Sequence, residues 1–212
     1  MKIKEKTRKI SYLTYSLIFM MLVFYFFNVI INKMDAITGA TPYQMLEVGA
    51  LTDSSSNWML LTSLFVHGSI EHLVMNIVLL MILGSIIEKE YGIKMFLTVF
   101  IFSGLLGNLL TMLVKENIVV FGASGSIYGL LGAFAALLIL NKDITLESNG
   151  RLILGVLVTI FVSIIYTVIG ANINIIAHLT GLVVGFVLPL AIELYKKIYK
   201  ITASDINNYK KG

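Results

Sequence analysis

Apolar residues in this chain come in long unbroken runs, with few polar positions between them. A helix needs about 20 apolar residues to cross a bilayer. Six runs approach that length: 10–31, 70–87, 95–114, 121–140, 152–170 and 173–195. Alternation with a period of two is missing, and a lone strand cannot satisfy its backbone in lipid, so a transmembrane β-barrel is excluded. Most connections are short, which predicts antiparallel neighbours in sequence. The pattern predicts an all-α membrane protein: a six-transmembrane-helix bundle forming one domain, without internal repeats. The first run is too long for a signal-peptide h-region of about 7–15 residues and lacks a small-residue cleavage site, so a retained helix is expected.

Composition narrows this picture. Hydrophobic residues make up 58% of the 212 and charged residues only 13%, against about 25% charged in soluble domains. A water-soluble globule and a disordered chain are both excluded. Cys is absent, which removes disulfides, Cys-zinc sites and a thiol nucleophile. The formal charge of +4 follows the topology. When the six runs are threaded, all but two of the 16 Lys and Arg fall on one side, and only Lys33 and Lys115 fall on the other. The positive-inside rule then places both termini in the cytosol. Basicity thus implies no nucleic-acid partner. The expected organisation is a basic cytosolic N-terminus (1–9), a membrane domain (10–195) with a long outer loop (32–69), and a solvated cytosolic tail (196–212). The outer loop carries Gly39, Pro42, Gly49 and the only Trp, Trp58.

Ionisable and amide side chains inside a membrane are expensive and point to function. His72, Asn76, Ser124 and His178 belong to the second, fourth and sixth runs, and the topology places all four in the outer half of the bilayer. Asn108 is a further amide buried by position. Ser124 sits in Phe121-Gly-Ala-Ser-Gly-Ser-Ile-Tyr-Gly-Leu-Leu-Gly132. One reading is a packing serine among small residues. The other is a nucleophile at a helix start, with Gly122 and Gly125 admitting another backbone and free N–H groups able to hold an oxyanion. His178 lies one turn before Gly181 and Gly185 in Ala177-His-Leu-Thr-Gly-Leu-Val-Val-Gly185. Packing that glycine face on Gly129 and Gly132 would bring His178 to Ser124. A neutral imidazole there could activate the hydroxyl. No carboxylate shares this layer, so a Ser–His dyad is expected rather than a triad. Packing or a hydroxyl would orient the imidazole. Tyr128, four residues after Ser124, is a candidate for this, and ordinary aromatic packing explains it equally. His72 and Asn76, spaced i and i+4, either complete an oxyanion hole or hydrogen-bond neighbouring helices. His67 fits a structural hydrogen bond near a helix start.

Together these residues resemble the rhomboid family of intramembrane serine proteases. The resemblance runs from about 51 to 194. It rests on Leu61-Thr-Ser-Leu-Phe-Val-His-Gly-Ser-Ile-Glu-His-Leu-Val-Met-Asn76, Ser103-Gly-Leu-Leu-Gly-Asn108 and the two segments around Ser124 and His178. It implies an active endopeptidase without a cofactor, with Ser124 as nucleophile and His178 as base and then acid. His72 and Asn76 match oxyanion positions. Tyr128 matches an aromatic that stacks on the imidazole, and His67 a structural histidine. The implied partners are the lipid bilayer and transmembrane-helix protein substrates, cut near their outer ends and admitted beside the fifth run. The implied location is a multi-pass cell-membrane protein, with short loops that fit a bacterial plasma membrane.

Two departures stand out. Trp58 is followed by Met59 where the family often has Arg, which predicts a different loop anchor. The glycine-rich stretch before the base histidine is replaced by bulkier residues, which predicts looser packing of the fourth and sixth helices above His178. Three rival readings use the same residues: a small-solute transporter, a metal site of His67, His72 and His178, and an inactive binder of membrane helices.

Overall fold

The computed structural model describes residues 11–141, 146–169 and 173–209. The expected basic segment 1–9 and residues 170–172 of the bulkier stretch lie outside them. Among the described residues regular structure is helical, apart from one isolated antiparallel bridge between Leu51 and Val120. The helices are α1 (Tyr12–Asn32), α2 (Met34–Thr38), α3 (Pro42–Leu46), α4 (Met59–Thr62), α5 (Ile70–Tyr91), α6 (Ile93–Val114), α7 (Ser124–Leu140), α8 (Leu146–Ile169) and α9 (Ile175–Tyr209). Among the described residues, four stretches are long and apolar enough to cross a membrane: Tyr12–Asn32, Ile70–Tyr91, Ile93–Val114 and Ile175–Tyr199. Ser124–Leu140 and Ile153–Ser163 are shorter apolar helices. The protein is a multi-pass membrane protein.

The helix ends follow local chemistry. Ser69 accepts a bond from the His72 N–H and starts α5, with Glu71 in its first turn. Gly92, at φ +83, stops α5 and starts α6, a left-handed conformation that costs glycine little. The sixth apolar run continues as helix to Tyr209, so residues 196–209 of the expected solvated tail are helical.

The start of α1 lacks a cap of its own: the Ser11 side chain makes no capping bond. Glu88, near the end of α5, supplies one from a distance. Its carboxylate accepts from the Leu13 and Thr14 N–H groups at 3.1 and 2.9 Å and from the Thr14 hydroxyl at 2.7 Å. Glu88 is only 7% exposed. A carboxylate buried at a helix N-terminus is satisfied by orphan N–H groups and by the helix dipole.

The core joins α1, α5, α6 and α7 through Met21, Leu80, Phe96, Phe100, Ile127 and Leu130. The outer loop has a small core of its own, built on Met45, Val48, Ala50 and Val66. It is tied down by the Leu51–Val120 bridge, by Thr62 donating to the Gly49 carbonyl (3.0 Å), and by Asn28 of α1 donating to the His67 carbonyl (2.8 Å). Trp58 remains 58% exposed, so these bonds and the small core hold the loop without it.

Candidate active site

Among the described residues, helices α7 and α9 pack backbone to backbone, and glycines explain it. A Cβ on Gly185 would collide with the Gly129 carbonyl, and one on Gly181 with the Gly125 carbonyl. Gly132 faces the Leu182 carbonyl and the Phe186 N–H. The contact is therefore registered one turn differently from a simple meeting of Gly129 and Gly132 with Gly181 and Gly185. Gly125, Gly129 and Gly132 form one stripe, and α9 lies along all of it. Directly before His178, at Ala177, the packing is close. Ala177 sits against Gly107 of α6 and Gly125 of α7, where an added Cβ would lie 3.0 Å and 3.4 Å from its carbonyl oxygen. Gly107 and Gly125 leave room for Ala177.

This register brings Ser124 and His178 together. The Ser124 Oγ lies 2.8 Å from His178 Nε2. Ser124 is the first residue of α7, and no side chain caps that end. Its first N–H groups are thus outside the helical ladder. The Tyr128 ring stacks on the His178 imidazole, with centroids 4.2 Å apart and planes 10° apart. The Tyr128 hydroxyl donates away from the imidazole, to the Ser163 carbonyl of α8 at 3.3 Å. Tyr128 thus meets the imidazole through its ring face.

Ser124, His178, His72, Asn76 and Tyr128 all line one cavity of about 510 Å³. Gly122, at φ +111, lies under the His72 ring, where a Cβ would be 2.8 Å from His72 Cε1. Both the conformation and the close approach require glycine there. Asn76 donates to the His72 carbonyl at 2.8 Å, a bond to its own helix that uses one of its two amide hydrogens. Its Oδ1 is buried without a partner.

His67 lies behind this wall. It is fully buried, its Nδ1 contacts the Phe65 carbonyl at 3.0 Å, and its ring meets His72 edge-on at 4.9 Å. A carbonyl only accepts, so Nδ1 carries the proton and Nε2 holds a lone pair, which has no partner. Burial, and after it the neighbouring His72, holds the His67 pKa well below the ordinary histidine value, while the Phe65 bond opposes them. Among the described residues, no three His, Asp or Glu side chains converge as a metal site.

Several polar residues of the fold escape the sequence reading. Asn28 and Asn32 of α1 form a buried pair, with Asn32 donating to Asn28 at 2.8 Å. Their signal was available as two amides, i and i+4, inside an apolar run. Asn108, by contrast, is the amide expected to be buried by position, and it donates to Ser63 at 3.0 Å, tying α6 to the loop. Asn174 heads α9, with its Oδ1 accepting from the Ala177 N–H at 3.1 Å. An asparagine just before an apolar helix is a cap signal.

Comparison with known proteins gives a consistent result. The rhomboid domain family model matches residues 54–193. The YdcA protein of Bacillus subtilis (strain 168), named provisionally as a rhomboid protease, is 30% identical over 132 residues, 62% of this chain and 65% of that one. Rhomboid-like protease 3 of Toxoplasma gondii is 31% identical over 131 residues, 62% of this chain and 50% of the other. Rhomboid protease GluP of Bacillus subtilis (strain 168) is 31% identical over 139 residues, 66% of this chain and 27% of GluP. The matches thus span less than two thirds of each of these relatives.

Proposed function

This chain belongs to the rhomboid family, and we propose that it is an intramembrane serine endopeptidase that cuts transmembrane segments of other proteins near their outer ends. The observation that carries the reading is the 2.8 Å contact between Ser124 Oγ and His178 Nε2 at the edge of the cavity. His178 Nε2 takes the proton as Ser124 Oγ attacks the scissile carbonyl. The protonated imidazole then gives it to the leaving amine, and water resolves the acyl-enzyme by the same two transfers in turn. The Ser124 N–H and donors from His72 and Asn76 hold the oxyanion. Tyr128 keeps the imidazole plane fixed.

We read six spans with both termini in the cytosol, the membrane domain as 10–195, and the cell membrane of a bacterium as the location. The length of α7 supports the placement of the site. Its 17 residues extend about 26 Å, short of a hydrocarbon core of about 30 Å. A helix of that length can end at the inner surface while Ser124 stays below the outer one. A peptide bond in a regular helix is shielded, so the substrate unwinds locally as it enters.

The test is cleavage of a reporter transmembrane helix in proteoliposomes. Cleavage is expected in the native chain, with and without a chelator, and is expected to vanish in both Ser124→Ala and His178→Ala. Cleavage that survives Ser124→Ala, or that a chelator stops, overturns the dyad.

A further inference from the structure

The segment before His178 departs from a smooth glycine-rich entry, and the structure shows what stands there instead. Asn174 immediately precedes α9, and its Oδ1 accepts from the Ala177 N–H (3.1 Å) and from the Thr111 hydroxyl of α6 (3.0 Å). The same hydroxyl hydrogen is shared with the Gly107 carbonyl at 2.8 Å. The Asn174 carbonyl takes the first helical bond of the next turn, from the His178 N–H at 3.2 Å. One residue therefore caps the helix, joins it to α6 and holds the backbone of the imidazole-bearing residue.

We propose that Asn174, anchored by Thr111, is a positioning residue for His178: it fixes the first turn of α9 so that Nε2 stays within reach of the Ser124 hydroxyl. The inference deepens the proteolytic reading and rests on it. The physical reason is that first turns fray, because their N–H groups have no helical acceptor. His178 follows directly on this turn and bonds back to it through the Asn174 carbonyl, and its chemistry needs a fixed distance to Ser124. Packing of Ala177 against Gly107 and Gly125 limits sideways movement. It provides no acceptor for the Ala177 N–H, and Asn174 does. A shift of about 1 Å in a catalytic group can cost about 100-fold in rate.

The experiment is full kinetics on a reporter helix in proteoliposomes, together with the rate of fluorophosphonate labelling. Asn174→Ala should lower kcat and the labelling rate by about tenfold or more with KM unchanged, because substrate binding is not its role. Asn174→Asp keeps the acceptor in the same place and should restore most of the rate. Thr111→Val should lower kcat by a smaller factor, and combining it with Asn174→Ala should add little, because the two residues act as a unit. Equal kcat in native and Asn174→Ala chains overturns the inference. So does a folded Asn174→Asp chain as slow as Asn174→Ala, or a change confined to KM. If Asn174→Ala does not fold, Thr111→Val carries the test, and an unchanged kcat there overturns the proposal. A native chain that neither cleaves nor labels fails differently, since it overturns the proteolytic reading itself.

Discussion

Two regions of the molecule bury polar groups and treat them differently. Where α1 starts against the end of α5, the Glu88 carboxylate accepts three bonds from Leu13 and Thr14. At the start of α7 and α9, several groups are left with capacity to spare: an uncapped helix end at Ser124, the Asn76 Oδ1 without a partner, and a cavity in front of both. A buried polar group without a partner costs about 1–3 kcal/mol. A fold would not retain such costs for stability. The Glu88 region holds two helices together, and on the proposed reading the Ser124 region is a set of groups waiting for a ligand. Substitutions should therefore separate the two, with the first changing stability and the second changing rate.

The largest expected effect is on the dyad. His178→Ala should lower kcat by about 10²–10⁴-fold, the usual worth of a general base, with the thermal unfolding midpoint nearly unmoved. A large loss of stability in that variant would erase the contrast.

Gly185→Ala tests the backbone seam that brings the dyad together. The added methyl meets the Gly129 carbonyl, and overpacking of this kind costs about 1–3 kcal/mol, sometimes more. Both the unfolding midpoint and kcat should fall. Gly155→Ala in α8 is the control: its Cβ would meet nothing within 4 Å, and the change should stabilise the helix by about 0.5–1 kcal/mol.

Glu88→Ala should cost about 2–3 kcal/mol through the lost charge-assisted bonds, read as a lower unfolding midpoint. The kcat of the folded fraction should stay within about twofold of the native value, since the carboxylate's bonds go to the start of α1. A smaller effect is expected of Tyr128. Tyr128→Phe keeps the stacked ring and loses one long bond to the Ser163 carbonyl, so kcat should barely change. Tyr128→Ala removes a stack worth about 0.5–1.5 kcal/mol, which is about a 2- to 13-fold loss if it acts wholly on the transition state.

The mildest prediction concerns pH. His67 is buried neutral, with its pKa depressed by desolvation. Its contribution to stability is complete above the ordinary histidine value of about 6.5 and is lost as pH falls from there toward its own lower value. The unfolding midpoint should drop on acidification below about pH 6.5, and His67→Gln should flatten that slope.

Much of this was legible in the sequence because membrane physics leaves few options. The all-helical character followed from the apolar runs, four of which are long enough as helices to span a membrane among the described residues, and polar residues inside such runs had to be either costly or useful. Ser124, His178 and the glycines beside them could be read together because short side chains at helical spacing imply close backbones. The register of the glycine seam was less legible: three glycines on α7 allow more than one alignment with two on α9. Glu88 and Thr14 could not be paired by inspection, since the bond spans 74 residues and α1 shows no local cap. Asn174 carried a readable cap signal. Its bond to Thr111 depends on how α6 and α9 cross, which periodicity does not encode.

The central claim is that one hydroxyl is made reactive by one imidazole, and the mass of the intact protein after exposure to a fluorophosphonate tests it most directly. The account predicts a single adduct on Ser124 in the native chain and none in His178→Ala, with helicity equal in the two. An adduct on a different residue, or Ser124 labelled as fast without His178 as with it, would contradict the account.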